Sequence, residues 1–170
     1  IESYDTTTVR ASVGNYLVSK YIRENTDCKV IFNGDYADEV CGGYKYFKKA
    51  PSKKDFDKEC IRLVDDIHYF DCLRSDRCIS NNGLEARVPF ADKDFVNFYF
   101  SINPNLRMSN DKIEKYMLRK AFENDNLLPD EILWRSKEAF SDGVTSETRS
   151  WHKIIQEYVN TQITDEYFEF

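Results

Sequence analysis

Apolar residues recur at helical spacing along most of this chain, so the pattern predicts a predominantly helical structure. Asp5 to Thr8 offer capping side chains for a first helix. Ser52, with an acid three residues later at Asp55, resembles a capping box for a second, long helix. That helix is predicted to reach the region of Cys78 and to stop before the Asn81-Asn82-Gly83 turn. The apolar positions are Val9, Val13, Tyr16, Leu17 and Tyr21 in the first helix and Phe56, Cys60, Val64, Ile67 and Phe70 in the second.

Four further helices are predicted in the second half of the chain. They span Lys93 to Ser101, Lys112 to Asn124, a segment with Pro129 at its first helical position, and Glu147 to Asn160. In the last of these, the apolar stripe consists of Trp151, Ile154, Ile155, Tyr158 and Val159.

One β-strand stands out, at Lys29 to Phe32, where β-branched and aromatic residues are typical of a buried strand. A single strand needs neighbours that satisfy its backbone hydrogen-bonding groups. Because no second strand is predicted, we expect its partners to lie upstream, with the chain forming the C-terminal part of a larger α/β domain. A mostly helical domain with a misread strand remains the alternative.

The residues that follow this strand resemble a ligand site. Gly34 allows a sharp bend or close approach of a ligand, and Asp35, Asp38 and Glu39 place three carboxylates near the strand end. Carboxylates at such a position suit Mg²⁺ or proton transfer. The alternative is that Asp38 and Glu39 only stabilise the N-terminus of a solvated helix. Two glycines, Gly42-Gly43, then allow tight packing.

Composition indicates a globular protein and excludes several functional classes. The 170 residues are 41% hydrophobic and 15% aromatic, which is enough for a core. A net charge of −6, with no cluster of unanswered Lys and Arg, argues against nucleic-acid binding. Since there is no long apolar run, a membrane span is not expected. The chain is therefore expected to be soluble and cytoplasmic.

The cysteine pattern favours free thiols rather than disulfides or zinc. The five cysteines form an odd set without a C-x-x-C pair and lie in apolar segments, so buried free thiols are predicted. Only His68 and His152 are available in addition, which makes a structural zinc site improbable. His68, on an apolar helix, is interpreted as a core histidine. The cysteines are Cys28, Cys41, Cys60, Cys72 and Cys78.

Several motifs together resemble the synthetase domain of the glutamine-hydrolysing asparagine synthetase family, in that family's order and over nearly the whole chain. They are YDTTTVRAS (4–12), GD-x-x-DEV-x-GGY-x-YF-x-KAP (34–51), DCLR (71–74), GLEARVPF-x-D (83–92) and WR-x-KE-x-FSDGV (134–144). The resemblance implies a doubly wound parallel sheet of the ATP-pyrophosphatase type (adenine nucleotide alpha hydrolase-like). Residues 1–170 would be its C-terminal part. The family's pyrophosphate-binding loop and its glutaminase domain are absent from this sequence.

The resemblance also implies a two-step ligase reaction. The side-chain carboxylate of aspartate attacks the α-phosphorus of Mg-ATP to give β-aspartyl-AMP, and ammonia from glutamine then displaces AMP to give asparagine. ATP and Mg²⁺ are the implied cofactors. Partners would be the upstream part of the same protein and, among the options for assembly, a second copy in a homodimer. The isolated chain is expected to be inactive.

Site residues follow from the same resemblance. Asp35 and Lys137 match catalytic positions, the lysine stabilising negative charge on phosphate or the tetrahedral intermediate. Asn33 and Gly34 match nucleotide-binding positions. Asp38 is assigned to cofactor binding and to Mg²⁺, Arg135 to the cofactor, and Glu39, Asp71 and Arg74 to the substrate.

Alternatives to these assignments are open. Arg135 can be a surface residue, Asp71 and Arg74 a structural ion pair on one helix face, and Arg87 either a buried organiser of the Glu85 region or a ligand contact.

Two residues depart from the family pattern S-G-(D/E)-G-(A/S)-D-E. Asn33 replaces the serine and Tyr36 replaces the second glycine. A glycine adopts positive φ freely, whereas a tyrosine does so at a cost of about 1 kcal/mol or more. Either the loop is rebuilt with the Tyr36 ring beside the nucleotide, or substrate choice or activity has changed. The alternatives are therefore a related adenylating enzyme that forms another amide or a β-lactam, and a non-catalytic binding or scaffold module.

Overall fold

A computed structural model describes residues 1–109, 112–143, 149–163 and 167 of the protein. Helices dominate, and a small parallel sheet makes the fold a helical α/β structure. The α-helices are α1 (Thr6–Asn25), α2 (Ala37–Val40), α3 (Lys53–Asp66), α4 (Asp71–Ser80), α5 (Lys93–Ser101), α6 (Pro104–Arg107), α7 (Tyr116–Ala121), α8 (Asp130–Leu133), α9 (Phe140–Gly143) and α10 (Trp151–Gln162). Short 3-10 helices span Lys45–Lys49, Ile67–Tyr69 and Pro89–Ala91.

Side-chain caps set several of these helix starts, as the sequence predicts. Asp5 accepts a hydrogen bond from the backbone N–H of Thr8 at 2.7 Å, and Ser52 accepts one from that of Asp55 at 3.2 Å. Helix α5 has the predicted bounds, with Asp92 as its cap. Helix α7 is shorter than predicted, and Pro129 precedes α8 instead of occupying its first position. Glu147, the predicted start of the last helix, and Val144 lie outside the described residues.

The long helix predicted after Ser52 is wrong, because the structure divides it into α3 and α4. Helix α3 ends at Asp66 and continues into the 3-10 turn, and Phe70 then leaves the helical region with φ −136° and ψ −83°. Helix α4 stops before the predicted Asn81-Asn82-Gly83 turn, where Gly83 has a φ of +69°. After this break, α4 packs against α1.

The predicted strand is confirmed at its position. The prediction that it has no partner within this chain is wrong. Strand β1 (Val30–Phe32) pairs in parallel with β2 (Glu85–Arg87), with Ile31 opposite Ala86. These are the only two strands of the sheet in the described part of the chain. Nor is β1 buried within this chain, since Val30 is 44% and Phe32 77% exposed.

Two groups of buried side chains form the core on one side of the sheet. Phe47, Phe56, Cys60 and Leu63 make one, and Val40, Cys41 and Tyr99 make the other. Arg107 lies between them, 1% exposed, with its guanidinium near the rings of Phe56, Tyr99 and Phe100 and paired with Asp57. The core therefore joins α2, α3, α5 and α6 into one packed body.

Several individual predictions are corrected by these positions. All five cysteines are free, but Cys28 is exposed and Cys72 only partly buried. His68 is exposed, with its ring nitrogen 2.9 Å from the carbonyl oxygen of Asp65, because it lies in the turn between two helices. Arg87 pairs with Glu85 on the surface instead of organising a buried region. Among the described residues, no helix is both long and apolar enough to span a membrane.

Candidate ligand-binding site at the end of the parallel strands

The loop that follows β1 is held by the side chain of Asn33. The Asn33 backbone N–H continues the ladder by donating to the carbonyl of Arg87 at 3.0 Å. Its side-chain amide donates to Ser75 Oγ of α4 at 3.0 Å, and its Oδ1 accepts from the N–H of Asp35 at 3.0 Å. Gly34 is exposed, and no atom lies within 4 Å of the position of an added Cβ. The loop is therefore fixed at Asn33 and open beside Gly34.

Asp35, predicted to be catalytic, lies at the mouth of this loop. Its Oδ2 atom is buried and has no hydrogen-bond partner among the described residues. A buried carboxylate oxygen without a partner carries a desolvation cost, which a bound ligand or proton can remove.

Tyr36 takes up the left-handed conformation that the family pattern assigns to glycine. Its φ is +72° and its ψ −17°, and it forms the N-terminal boundary of α2. Burial, followed by a hydrogen bond with Cys72, raises the pKa of its hydroxyl above the ordinary value. The ring lines a cavity instead of facing solvent.

Asp38 lies between two lysines that are distant in sequence. Its Oδ1 is 2.7 Å from the Lys115 Nζ, and its Oδ2 is 2.9 Å from the Lys137 Nζ. Burial by itself would raise the pKa of Asp38, but the charges and hydrogen bonds of Lys115 and Lys137 outweigh it and lower the pKa below the ordinary value. Asp38 is therefore ionised at neutral pH and fully paired.

Glu39 lies deeper and belongs to a second polar group. It is 2% exposed, and it accepts a hydrogen bond from the hydroxyl of Tyr44, which also lies 3.3 Å from Asp71 Oδ2. Burial raises the pKa of Glu39 to about 7; the Tyr44 hydrogen bond opposes this shift and the Asp71 charge adds to it. Asp71 in turn pairs with Arg74 at 3.0 Å. The predicted ion pair on one helix face is thus confirmed, and both of its members also line the cavity.

The two glycines after α2 are required by close contacts. A Cβ at Gly43 would lie 2.1 Å from Asp38 Oδ1 and 2.9 Å from its Cα. At Gly42, with φ +62°, a Cβ would lie 2.4 Å from the Phe56 ring. Neither space can accept a side chain without moving the Asp38 carboxylate or the core.

These groups surround one cavity of about 510 Å³ at the C-terminal end of β1. Such a volume suits a small-molecule or nucleotide ligand. Eight of the nine predicted site residues line it: Asn33, Gly34, Asp35, Asp38, Glu39, Asp71, Arg74 and Lys137. Arg135 does not; it is exposed and lines a smaller cavity of about 250 Å³ on the other side of Lys137. The interpretation of Arg135 as a surface residue fits this position better.

Sequence reasoning missed Tyr44 and Lys115. Tyr44 stands next to the Gly42-Gly43 pair, five residues after Glu39 and beyond the end of α2, so helical spacing did not indicate the contact. Lys115 carries no local signal, because it lies 77 residues from Asp38 in sequence.

The predicted role of Asp38 in Mg²⁺ binding stays a prediction. Each of its oxygens accepts a hydrogen bond from one ammonium group, and the described residues contain no group of three or more His, Cys, Asp or Glu that could hold a metal ion. A carboxylate has about four lone-pair sites on its two oxygens, so two such hydrogen bonds leave lone pairs that can face a metal.

Comparison with known proteins gives the same family as the motifs. The model of the family described as asparagine synthase matches residues 1–58 and 48–169, which together cover nearly all of the chain. The chain belongs to the asparagine synthase family. It is 55% identical over 166 residues, or 98% of its length, to the asparagine synthetase (glutamine-hydrolyzing) of Cricetulus griseus and to that of Mus musculus. To the Homo sapiens protein of the same name it is 55% identical over 165 residues.

These relatives are much longer than the chain. The chain spans 30% of the length of the Cricetulus griseus protein and 29% of that of the Homo sapiens protein.

Proposed function

We propose that the chain is the C-terminal part of an ATP-dependent amide ligase that converts aspartate to asparagine through β-aspartyl-AMP. The names of the relatives support this proposal. The observation that carries it is the cavity at the strand end, which brings Asp35 and Lys137 to one wall although they are far apart in sequence. Glutamine hydrolysis, by a domain outside this chain, would supply the ammonia.

Lys137 and Asp35 have distinct roles in this proposal. In the first step, negative charge accumulates on the phosphorus centre as the aspartate carboxylate attacks and pyrophosphate leaves. The Lys137 ammonium at the cavity wall stabilises that charge. In the second step, an ammonia molecule that attacks the acyl carbon must lose a proton, and the free Asp35 oxygen can accept it.

ATP supplies the activating group, and its bound Mg²⁺ would neutralise phosphate charge. In this chain each oxygen of Asp38 already accepts a hydrogen bond from a lysine ammonium group. We therefore route no step through a metal site on these residues. Asn33 and Gly34, at the open end of the loop, are the proposed contacts of the nucleotide.

We further propose that the rest of a doubly wound, ATP-pyrophosphatase-like sheet and its pyrophosphate-binding loop come from residues outside this chain. Two findings support this: the chain spans about 30% of its relatives, and β1 exposes Val30 and Phe32. An apolar strand with exposed side chains is stable only when another layer covers it.

A change of substrate is the second candidate, and Tyr36 favours it. A tyrosine in the left-handed conformation gives the cavity an aromatic wall where the family pattern has glycine. A related adenylating enzyme that accepts another acid or amine fits this difference. Aspartate binding to the complete protein would separate the two, because only the first candidate requires it.

Asp35→Asn tests the proposed function in the complete native protein. The variant keeps the shape and removes the proton acceptor, so asparagine formation should fall about 100-fold or more while ATP affinity changes less than threefold. Asp27→Asn, at an exposed position outside the cavity, is the matched control and should behave as wild type. Steady-state kinetics and calorimetric titration with ATP measure the two effects.

Two outcomes would contradict the proposal. If the wild-type protein released no pyrophosphate with aspartate and ATP, the assigned reaction would be wrong. If Asp35→Asn abolished ATP binding but left the rate per bound ATP normal, Asp35 would be a nucleotide ligand and not the proton acceptor.

A further inference from the structure

Asp38 is shared between two cations, but only one of them faces the cavity. Lys137 lines the large cavity together with Asp38, whereas Lys115 contacts the other oxygen of Asp38 and does not line that cavity. All three side chains are mostly buried, with exposures of 19% for Lys115 and Asp38 and 22% for Lys137. Charges in such a position are weakly screened by solvent.

The net charge of the triad formed by Lys115, Asp38 and Lys137 depends on Lys115. One carboxylate and two ammonium groups give a net charge of about +1, whereas Asp38 and Lys137 by themselves would give about zero. A neutral pair attracts an anion in the cavity much less than a net positive charge does. Lys115 thus balances the negative charge of Asp38, and the positive charge of Lys137 stays uncompensated.

The local structure holds Lys115 in this place at some cost. Its backbone has φ +56° and ψ 32°, a left-handed conformation that is sterically unfavourable for a residue with a side chain. On the other side of Asp38, the absence of a side chain at Gly43 leaves room for Oδ1 to meet the lysine. Two separate backbone features therefore position the same ion pair.

We propose that Lys115 is a positioning residue that neutralises Asp38, so that Lys137 presents a net positive charge to a phosphate-bearing ligand in the cavity. The identity of that ligand rests on the proposed function, but the charge balance does not. Lys115 acts through Asp38 and need not touch the ligand.

Calorimetric titration of the complete protein with magnesium-free pyrophosphate tests this proposal without requiring turnover. Lys115→Met should weaken pyrophosphate binding about tenfold, and Lys115→Arg, which keeps the charge, should stay within threefold of wild type. Lys120→Met is the matched control, because Lys120 is an exposed lysine of α7 that pairs with Glu123. The pyrophosphate affinity of Lys120→Met should equal that of wild type.

The decisive variant is the double substitution Asp38→Asn with Lys115→Met, which restores the net charge of +1. It should bind pyrophosphate within about threefold of wild type, and thus more tightly than Lys115→Met. A double variant as weak as Lys115→Met, or a Lys115→Met variant with normal affinity, would overturn the proposal. If Lys115→Met does not fold, Asp38→Asn decides by itself: binding should tighten at least threefold, and unchanged or weaker binding would overturn the proposal.

The same variants separate this inference from the proposed reaction. In aspartate-dependent pyrophosphate release, Lys115→Met should lower kcat with little change in the KM for aspartate. A wild-type protein that releases no pyrophosphate would refute the reaction, while the pyrophosphate affinities would still test the charge balance.

Discussion

The two sides of the cavity differ in how completely this chain builds them. On one side, α2, α3 and α5 pack around Phe56 and Tyr99, which are 1% and 3% exposed. On the other side, α1 exposes Leu17 by 57% and Tyr21 by 66%, and β1 exposes Phe32 by 77%. The packed side is thus finished within the chain, whereas the other side carries apolar surface that lacks a covering layer among the described residues.

This difference shows which part of the site the chain can determine by itself. Asp38 and Glu39 have their partners in place, because those partners come from segments of the packed side. At the boundary, Gly34 faces open space, and Asp35 beside it keeps a buried oxygen that has no partner among the described residues. We therefore interpret the chain as one wall of a nucleotide site.

Paired alanine substitutions in the isolated chain should show the largest contrast between the two sides. Phe56→Ala removes a fully buried ring beside Phe47 and should lower the free energy of unfolding by about 3–5 kcal/mol. Leu17→Ala, at an exposed position of α1, should change it by less than about 0.5 kcal/mol. Urea denaturation followed by circular dichroism measures both values.

In the complete protein this contrast should shrink, because the proposed upstream layer would cover Leu17. In the complete protein, Leu17→Ala should lower the free energy of unfolding by about 2 kcal/mol or more. If Leu17→Ala left the free energy of unfolding unchanged in both the isolated chain and the complete protein, α1 would face solvent in the native protein. The proposed difference between the two sides of the cavity would then be wrong.

Lys137→Ala should have the largest effect on catalysis. Removal of the only cation that the triad presents to the cavity should reduce kcat/KM for aspartate-dependent pyrophosphate release at least 100-fold, or about 3 kcal/mol. Lys153→Ala, on the exposed face of α10, serves as the control. A rate within a few fold of wild type would remove Lys137 from the catalytic residues.

The pH dependence of stability tests the buried carboxyl on the packed side. Because the pKa of Glu39 is raised to about 7 in the folded chain, against about 4.3 in an unfolded chain, folding favours its protonated form. Its contribution is therefore full below pH 4 and is lost as the pH rises to 7. Relative to Glu39→Gln, wild type should lose roughly 2–3 kcal/mol over that range. A constant difference between the two proteins would show that Glu39 ionises normally.

A smaller effect is expected at Tyr36, on the boundary between the two sides. Tyr36→Gly removes about 1 kcal/mol of backbone strain but also removes the ring that lines the cavity, so ATP affinity should fall several-fold in the complete protein. Tyr36→Asn, which tolerates positive φ, separates the loss of the ring from the change in backbone freedom. Tighter ATP binding by Tyr36→Gly would instead show that the ring obstructs the site.

Sequence patterns predicted local structure well where local forces determine it. Helix α5 starts and ends where its cap and apolar spacing indicate, and the Ser52 cap forms as predicted. The Asp71–Arg74 pair follows from helical spacing. The strand end and its acidic loop were also predicted, because β-branched residues followed by glycine and acids are a strong signal.

Features that depend on distant contacts were missed. Strand β2 contains only Glu85, Ala86 and Arg87, and its two charged residues face outward, so nothing in its composition resembles a strand. The break at Phe70 contains no Gly or Pro and is set by the packing of α4 on α1. Lys115 reaches Asp38 only through the tertiary fold. Resemblance to a family located the site residues, but their partners became visible only in three dimensions.

Titration of Mg-ATP into the isolated chain and into the complete protein tests most directly the claim that residues 1–170 form one wall of the site. We expect the isolated chain, once shown by circular dichroism to be folded, to bind ATP at least 100-fold more weakly than the complete protein and to release no pyrophosphate with aspartate. Equal affinity, with turnover by the 170 residues alone, would show that the cavity at the end of β1 is already a complete active site and would contradict this account.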